Sequence, residues 1–445
     1  MKKFKQYIDK YVSAIVSHSL LGVVTLLLVA CDSKDTTPLP GERVSFLNFT
    51  ATVKADPSIA GMLVTVPAAV TNTVWSQMGG RVDHTLMNVS LGEKLTPLWE
   101  RSVGTGSSDD QRLLASPITD ENHAYTMDAE GVVTALSLKT GEVVWKKSTS
   151  PEEHVHDTLG GGIGVDNGVV FATTSFGEVV ALKADTGDEI WRKTGYAPFR
   201  SSPSIKDGHV YCQSINNELI TLSVSTGDLV WSHSGIPESA LLLGGGKPAC
   251  SGDTVLVAYT SGEVHALSQT NGQVLWSDTI TPVARIDTVT SIPHIRARPV
   301  VDDNQVFVIS HGGRMTAIDF KTGTRQWQKE LGGIRTPVVA GEFVFVLTNM
   351  NELVCLDRKL GAIYWVAGLP LVDEDEGAVH FAGPIMAGDT LIVTSSKGEI
   401  IRLNPRNGEI LNKTKVDGGA IFLAPIVAQN TLYALTDNAV LHAFH

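Results

Sequence analysis

One fifteen-residue pattern limits what this chain can fold into. "GVVTALSLKTGEVVW" at 131–145 is followed, with the same internal spacing, by "GEVVALKADTGDEIW" at 177–191 and "NELITLSVSTGDLVW" at 217–231. It returns as "GEVHALSQTNGQVLW" at 262–276, "GRMTAIDFKTGTRQW" at 313–327 and "NELVCLDRKLGAIYW" at 351–365. A seventh copy, "GEIIRLNPRNGEILN" at 398–412, keeps the spacing and loses the Trp. Successive copies begin about 38 to 51 residues apart, the range of propeller blades.

Each position has a physical reading. The apolar, β-prone run after the first residue suits a strand covered on both faces. A Gly four residues before the Trp, usually as "TG" or "NG", supplies the positive φ of a hairpin turn. Gly or Asn at the opening position predicts a second hairpin. Upstream lie further strand candidates such as "HVYCQSI" and "QVFVISH", and before them short runs with a Pro near the start, such as "SSPSI", "ARPVV" and "RTPVV". Four antiparallel strands per repeat make one blade, with the Trp on the outermost strand, where it can pack on the neighbouring blade.

The chain ends with three strands of a blade and no fourth, in "LAPIVAQNTLYALTDNAVLHAF" at 423–444. "LTPLWERSV" at 95–103 carries Trp99 with no blade before it. Joining the two predicts an all-β, eight-bladed propeller closed by the N-terminal strand, which leaves no exposed sheet edge. The expected boundaries are 1–30 for a leader, 31–92 for a tether and extension, and 93–445 for the ring.

The leader is basic through Lys2, Lys3, Lys5 and Lys10, then apolar in "LLGVVTLLLVA" at 20–30, which is short for a bilayer span. It closes at "LVAC", residues 28–31, which resembles the lipobox of bacterial lipoproteins. That resemblance implies cleavage before Cys31 and lipidation of its thiol, hence export and a stable membrane anchor. The other cysteines, Cys212, Cys250 and Cys355, sit in strand-like contexts and read as small buried hydrophobes. With a net charge of −12 and no basic stripe, the chain is a poor partner for nucleic acid.

The repeat resembles the PQQ-type propeller repeat, which is shared by quinoprotein dehydrogenases and by cofactor-free relatives. Adjacent cysteines and a C-x-x-C-H haem motif, features of the dehydrogenases, are absent from the sequence. The whole organisation, a lipobox, a polar tether with "PLP" at 38–40 and one ring, resembles the BamB family of the β-barrel assembly (BAM) machinery. "ARIDTVTSIPHIRARPVV" at 284–301 is similar to that family's segment before the fifth internal repeat. "ALLLGGGKP" at 240–248 stands where the family has a leucine- and glycine-containing loop that contacts BamA.

This resemblance implies a partner-binding set of Leu241, Leu242, Leu243, Arg285, Asp287, His294 and Arg296. It also implies BamA-like barrels and unfolded outer-membrane proteins as partners, no cofactor, no metal and no catalysis. The expected location is the periplasmic face of the outer membrane. Asp32 resembles the inner-membrane retention signal of enteric bacteria, a rule that does not hold in all bacteria. Two departures from the family stand out: Gly244 replaces its Arg after the leucines, and His294 and Arg296 replace its acidic pair.

Three leucines beside three glycines at 241–246 form an apolar partner patch if exposed, and core if they begin the inner strand. Trp75, in an extension similar to alphaproteobacterial versions, either clips onto the ring or touches a partner. "EEHVHD" at 152–157 and "DEDE" at 373–376 read as solvated loops rather than metal sites. "LGGGIG" at 159–164 has no helix after it and reads as the entry to a strand. Two other functions fit the same repeat: a small quinoprotein dehydrogenase, or a sensor or wall-binding propeller with a ligand in its channel.

Overall fold

Eight four-stranded antiparallel sheets follow one another around a ring in a computed structural model. The structure describes residues 53–151, 159–238, 242–282, 292–370, 372–373 and 377–445. The last blade takes its outer strand, Pro97–Ser102, from the N-terminal side of the ring and pairs it with Val440–Phe444. Trp99 faces Ala443 in that register. Closure by the N-terminal strand is therefore as the repeat implied.

Burial follows strand order within a blade. The second and third strands are almost wholly buried, as in His123–Met127 and Val132–Ser137, because neighbouring blades cover both faces. The outer strand alternates with solvent, and in Val143–Ser148 the one buried residue is Trp145. Short inner strands contact their counterparts in the next blade and so line the axis.

The repeat's Trp and Gly are two halves of one joint between blades. Trp145 donates its indole N–H to the Ala184 carbonyl of the next blade at 2.8 Å, and Trp231 donates to Gln269 at 2.9 Å. Trp99, Trp191, Trp276, Trp327 and Trp365 make the same bond one blade on. Each ring lies on the turn glycine of that blade. At Gly272, where φ is +71°, a Cβ would come within 2.5 Å of Trp231 Cε3. The seventh copy's missing Trp follows from the same joint. Its partner turn would lie between the third and fourth strands of the last blade, but the fourth, Pro97–Ser102, comes from the N-terminal side of the ring and no turn joins the two. Asn412 is accordingly exposed.

The extension crosses the far ends of the inner strands and hydrogen-bonds to every blade. Trp75 exchanges backbone bonds with Thr119, and Ser76, Val82 and Asp83 accept from Val165, Cys250 and Val301. Asn72 and Val89 bond to Gln429 and to both Met386 and Gly388, and Asp56 donates to Ile363. Gln77 imitates a strand with its side chain, accepting from Ile205 N–H at 3.1 Å and donating to its carbonyl at 2.9 Å. Apart from the bond to Ile363, which lies on an outer strand, these contacts satisfy strand edges that face the axis. Trp75 is buried and packs with the core, so of its two readings the clip is the one realised. Residues Val53–His445 consequently form one compact unit.

Candidate functional site

With the extension across one end of the axis, the loops that lead into the inner strands surround the other. Two of them hold the leucines and the His–Arg segment. Inner strand Ala249–Ser251 begins after Leu242 and Leu243, which therefore belong to the loop and not to the strand core. Residues 292–299 lead into Val300–Asp302 of the following blade. The loops are joined directly: Leu242 N–H donates to His294 Nδ1 at 3.0 Å. Gly244, at φ +92°, lies so close to Arg296 that a Cβ would be 2.7 Å from its Nε. The glycine thus leaves room for this guanidinium.

The expected contact residues separate into distinct roles. Leu243 is 37% exposed and Leu242 is half-buried, and both line a vestibule of about 620 Å³. Leu114, Ile334, Phe381 and Phe422 complete its apolar wall. Arg296 lies at the junction between this vestibule and a deeper cavity of about 110 Å³. His294 departs from its expected place in the partner-binding set: it is fully buried, and packing beneath the loop makes it a support for Leu242. Burial and the charges of Arg296, His311 and Arg200 lower its pKa to about 4, so at neutral pH the ring is uncharged and Nδ1 can accept. Leu241, Arg285 and Asp287 lie outside the described residues, as do Cys31 and both histidines of "EEHVHD". The side chains of "DEDE" also lie outside the description.

The deeper cavity holds residues that the sequence reading missed. Arg200, Arg298 and Arg335 line it together with Arg296, above Met78 and Gly79 of the extension. Burial pulls Arg298 down to about 10 and Arg335 to about 9, the latter also opposed by Arg296; both stay cationic at neutral pH. Lys247 is buried nearby, its Nζ donating to Gln77 Oε1 at 3.1 Å and to the Met78 carbonyl at 3.3 Å. A signal for this cluster was present in "RSSP", "RARP" and "RTP", with an Arg one to three residues ahead of the Pro that precedes an inner strand. Inner strands line the axis, so arginines repeated there converge on it. No carboxylate is among the described residues that line the cavity, which leaves a divalent cation without a ligand set in it.

The sequence model of the family described as "Outer membrane protein assembly factor BamB" matches residues 47–159 and 129–367. This chain belongs to the BamB family. BamB of Pseudomonas aeruginosa is 30% identical over 350 residues, covering 79% of this chain and 89% of that protein. BamB of Salmonella typhimurium is 27% identical over 354 residues, covering 78% and 88%. Among solved structures, BamB from Moraxella catarrhalis matches with a TM-score of 0.68 at 20% identity, over 79% of this chain and 100% of that one. A europium-containing methanol dehydrogenase matches at 0.65 and 14% identity, over 81% and 89%; that likeness is one of fold. In this BamB-family chain the repeat supplies the ring, and the loops that enter the inner strands of several blades give the open mouth its apolar and cationic character.

Proposed function

We propose that this chain is an accessory factor in outer-membrane protein assembly, acting as a non-catalytic scaffold. It is anchored through Cys31 at the periplasmic face of the outer membrane. There it holds a BamA-like barrel protein, and unfolded outer-membrane proteins on their way to it, against the mouth of the ring. The observation that carries this reading is the BamB family match, which runs through most of the ring. The exposed leucine of the mouth supports the choice of surface. Leu243 sits at the edge of an apolar vestibule, held there by a glycine-rich loop whose neighbour is fixed by buried His294. A rigid apolar anchor beside cationic groups is the composition of a protein-binding patch.

The test is affinity capture of the tagged full chain from gently solubilised membranes, beside a Leu243→Asp variant. A barrel protein that co-purifies with the wild type and is lost from the folded variant supports both function and surface. Co-purification with both moves the contact elsewhere on the ring. Absence of any barrel, under conditions that keep assembly complexes intact, overturns the scaffold reading.

A further inference from the structure

We propose that the axial cavity is a binding site for a small multivalent oxyanion, bearing phosphate or clustered carboxylate groups, held by Arg296, Arg298 and Arg335.

The first argument is convergence without compensation. Three guanidinium groups from the inner-strand entries of two adjacent blades, with Arg200 from a third, line one cavity of about 110 Å³. None of the four forms an ion pair with a carboxylate among the described residues. Arginines elsewhere in the ring behave differently. Arg192 pairs with Glu178 and Glu189, Arg325 with Asp278, and Arg358 with Asp302. In a chain of net charge −12, a cluster of arginines at the axis with no carboxylate partner among the described residues is not a product of composition.

The second argument is the state of the individual groups. Arg298 Nε is buried with no hydrogen-bond partner, and Gly79 at φ +92° presses against the same guanidinium, where a Cβ would be 3.3 Å from Cζ. Arg335 has one long contact, 3.4 Å from Nη1 to the Phe422 carbonyl. Lys247, behind them, reaches only neutral oxygens. Buried charge of one sign is costly unless an opposite charge joins it, and these donors have geometry left to receive one. Ser116, Ser201 and Thr336 add neutral side chains with hydroxyl groups to the same wall.

The third argument is size and access. A water needs roughly 10–15 Å³ of such space, so the cavity has room for a tetrahedral or planar oxyanion with its remaining waters. The vestibule leads to it, sharing Arg296 and Arg335 and adding Arg112. The one carboxylate among the described residues that line it, Asp437, accepts from Ser107 Oγ at 2.5 Å. The extension crosses the opposite end, so a ligand enters from the mouth.

The experiment is calorimetric titration and thermal melting of the detergent-solubilised full chain, with inorganic pyrophosphate or citrate at low ionic strength. Chloride at matched ionic strength is the control. The expected result is saturable binding of at least one anion, a rise of several degrees in melting temperature beyond chloride, and at least tenfold weaker binding in Arg298→Met and Arg335→Met. The exposed-residue variant Arg406→Met should bind as the wild type does. Without anion, the two channel variants should melt at or above the wild type, because each removes an unpaired charge. Tighter binding of pyrophosphate assigns a phosphate ligand; tighter binding of citrate assigns a carboxylate one. A wild-type readout guards against a misfolded variant: the anion should protect Arg296, Arg298 and Arg335 from phenylglyoxal in peptide mapping. The proposal is overturned if neither anion binds beyond chloride. It is equally overturned if binding is unchanged in both folded methionine variants, or if those three arginines gain no protection.

Discussion

Replacing Trp231 tests whether the repeat's Trp–Gly joint holds the ring together. The indole is 8% exposed, lies on Gly272 of the next blade, donates to Gln269 and is 6.0 Å from the Tyr211 ring. Trp231→Ala removes a buried aromatic at a joint between two rigid sheets that cannot collapse into the gap. The expected loss is about 3–5 kcal/mol. Trp231→Phe keeps much of the apolar burial but strands the Gln269 carbonyl, for about 1–2 kcal/mol. Asn412→Ala, at the same repeat position but exposed with no turn to dock on, should stay within about 0.5 kcal/mol. Urea unfolding followed by circular dichroism, fitted with a shared slope, measures all three. The reasoning fails if Trp231→Ala costs less than Trp231→Phe, or if the Asn412 variant loses as much as either. Those results would mean that the blades are held by their β-edges and inner strands, with the outer joint dispensable.

Two further predictions concern the axis. His294 has a folded pKa near 4 against an ordinary value of 6.5, so the unfolded chain binds its proton first as pH falls. That group's contribution, roughly 3 kcal/mol, is intact above about pH 6.5, is lost as pH drops towards 4, and levels off below. His294→Gln should flatten this part of the pH profile of urea midpoints, and an unchanged slope would refute the assignment. Gln77→Ala should cost about 2–3 kcal/mol, because both backbone groups of Ile205 lose partners and Lys247 loses an acceptor. Hydrogen exchange should then rise at Ile205 more than at Thr119, and equal rises would show that the extension detaches as a unit.

The candidate site was only half legible. The leucine loop and the segment before Val300 could be paired from sequence because both stand just ahead of inner strands in consecutive blades. Whether Leu243 faced out and His294 faced in could not be read, since loop residues have no periodicity to assign a side. The arginines were overlooked for a related reason. Arg200, Arg298 and Arg335 are far apart along the chain, and although each stands shortly before a Pro, that motif does not say whether the cation is paired, as surface Arg325 is.

By itself the sequence determined the blade, the number of blades and the closure. These rest on short-range rules: alternation within strands, positive φ at turn glycines, and a Trp kept at fixed distance from a Gly. The extension's path and the chemistry of the axis were decided by tertiary structure. Residues 53–92 carry no repeat, and the bonds of residues 72–89 run to inner-strand edges that become neighbours only when the ring closes. Closure also makes one cationic wall of three short Arg–Pro motifs and seals it under Gly79 and Trp75. A charge has no sequence signature of being unpaired; only the packed ring fixes which groups surround it, and so what it is left to bind.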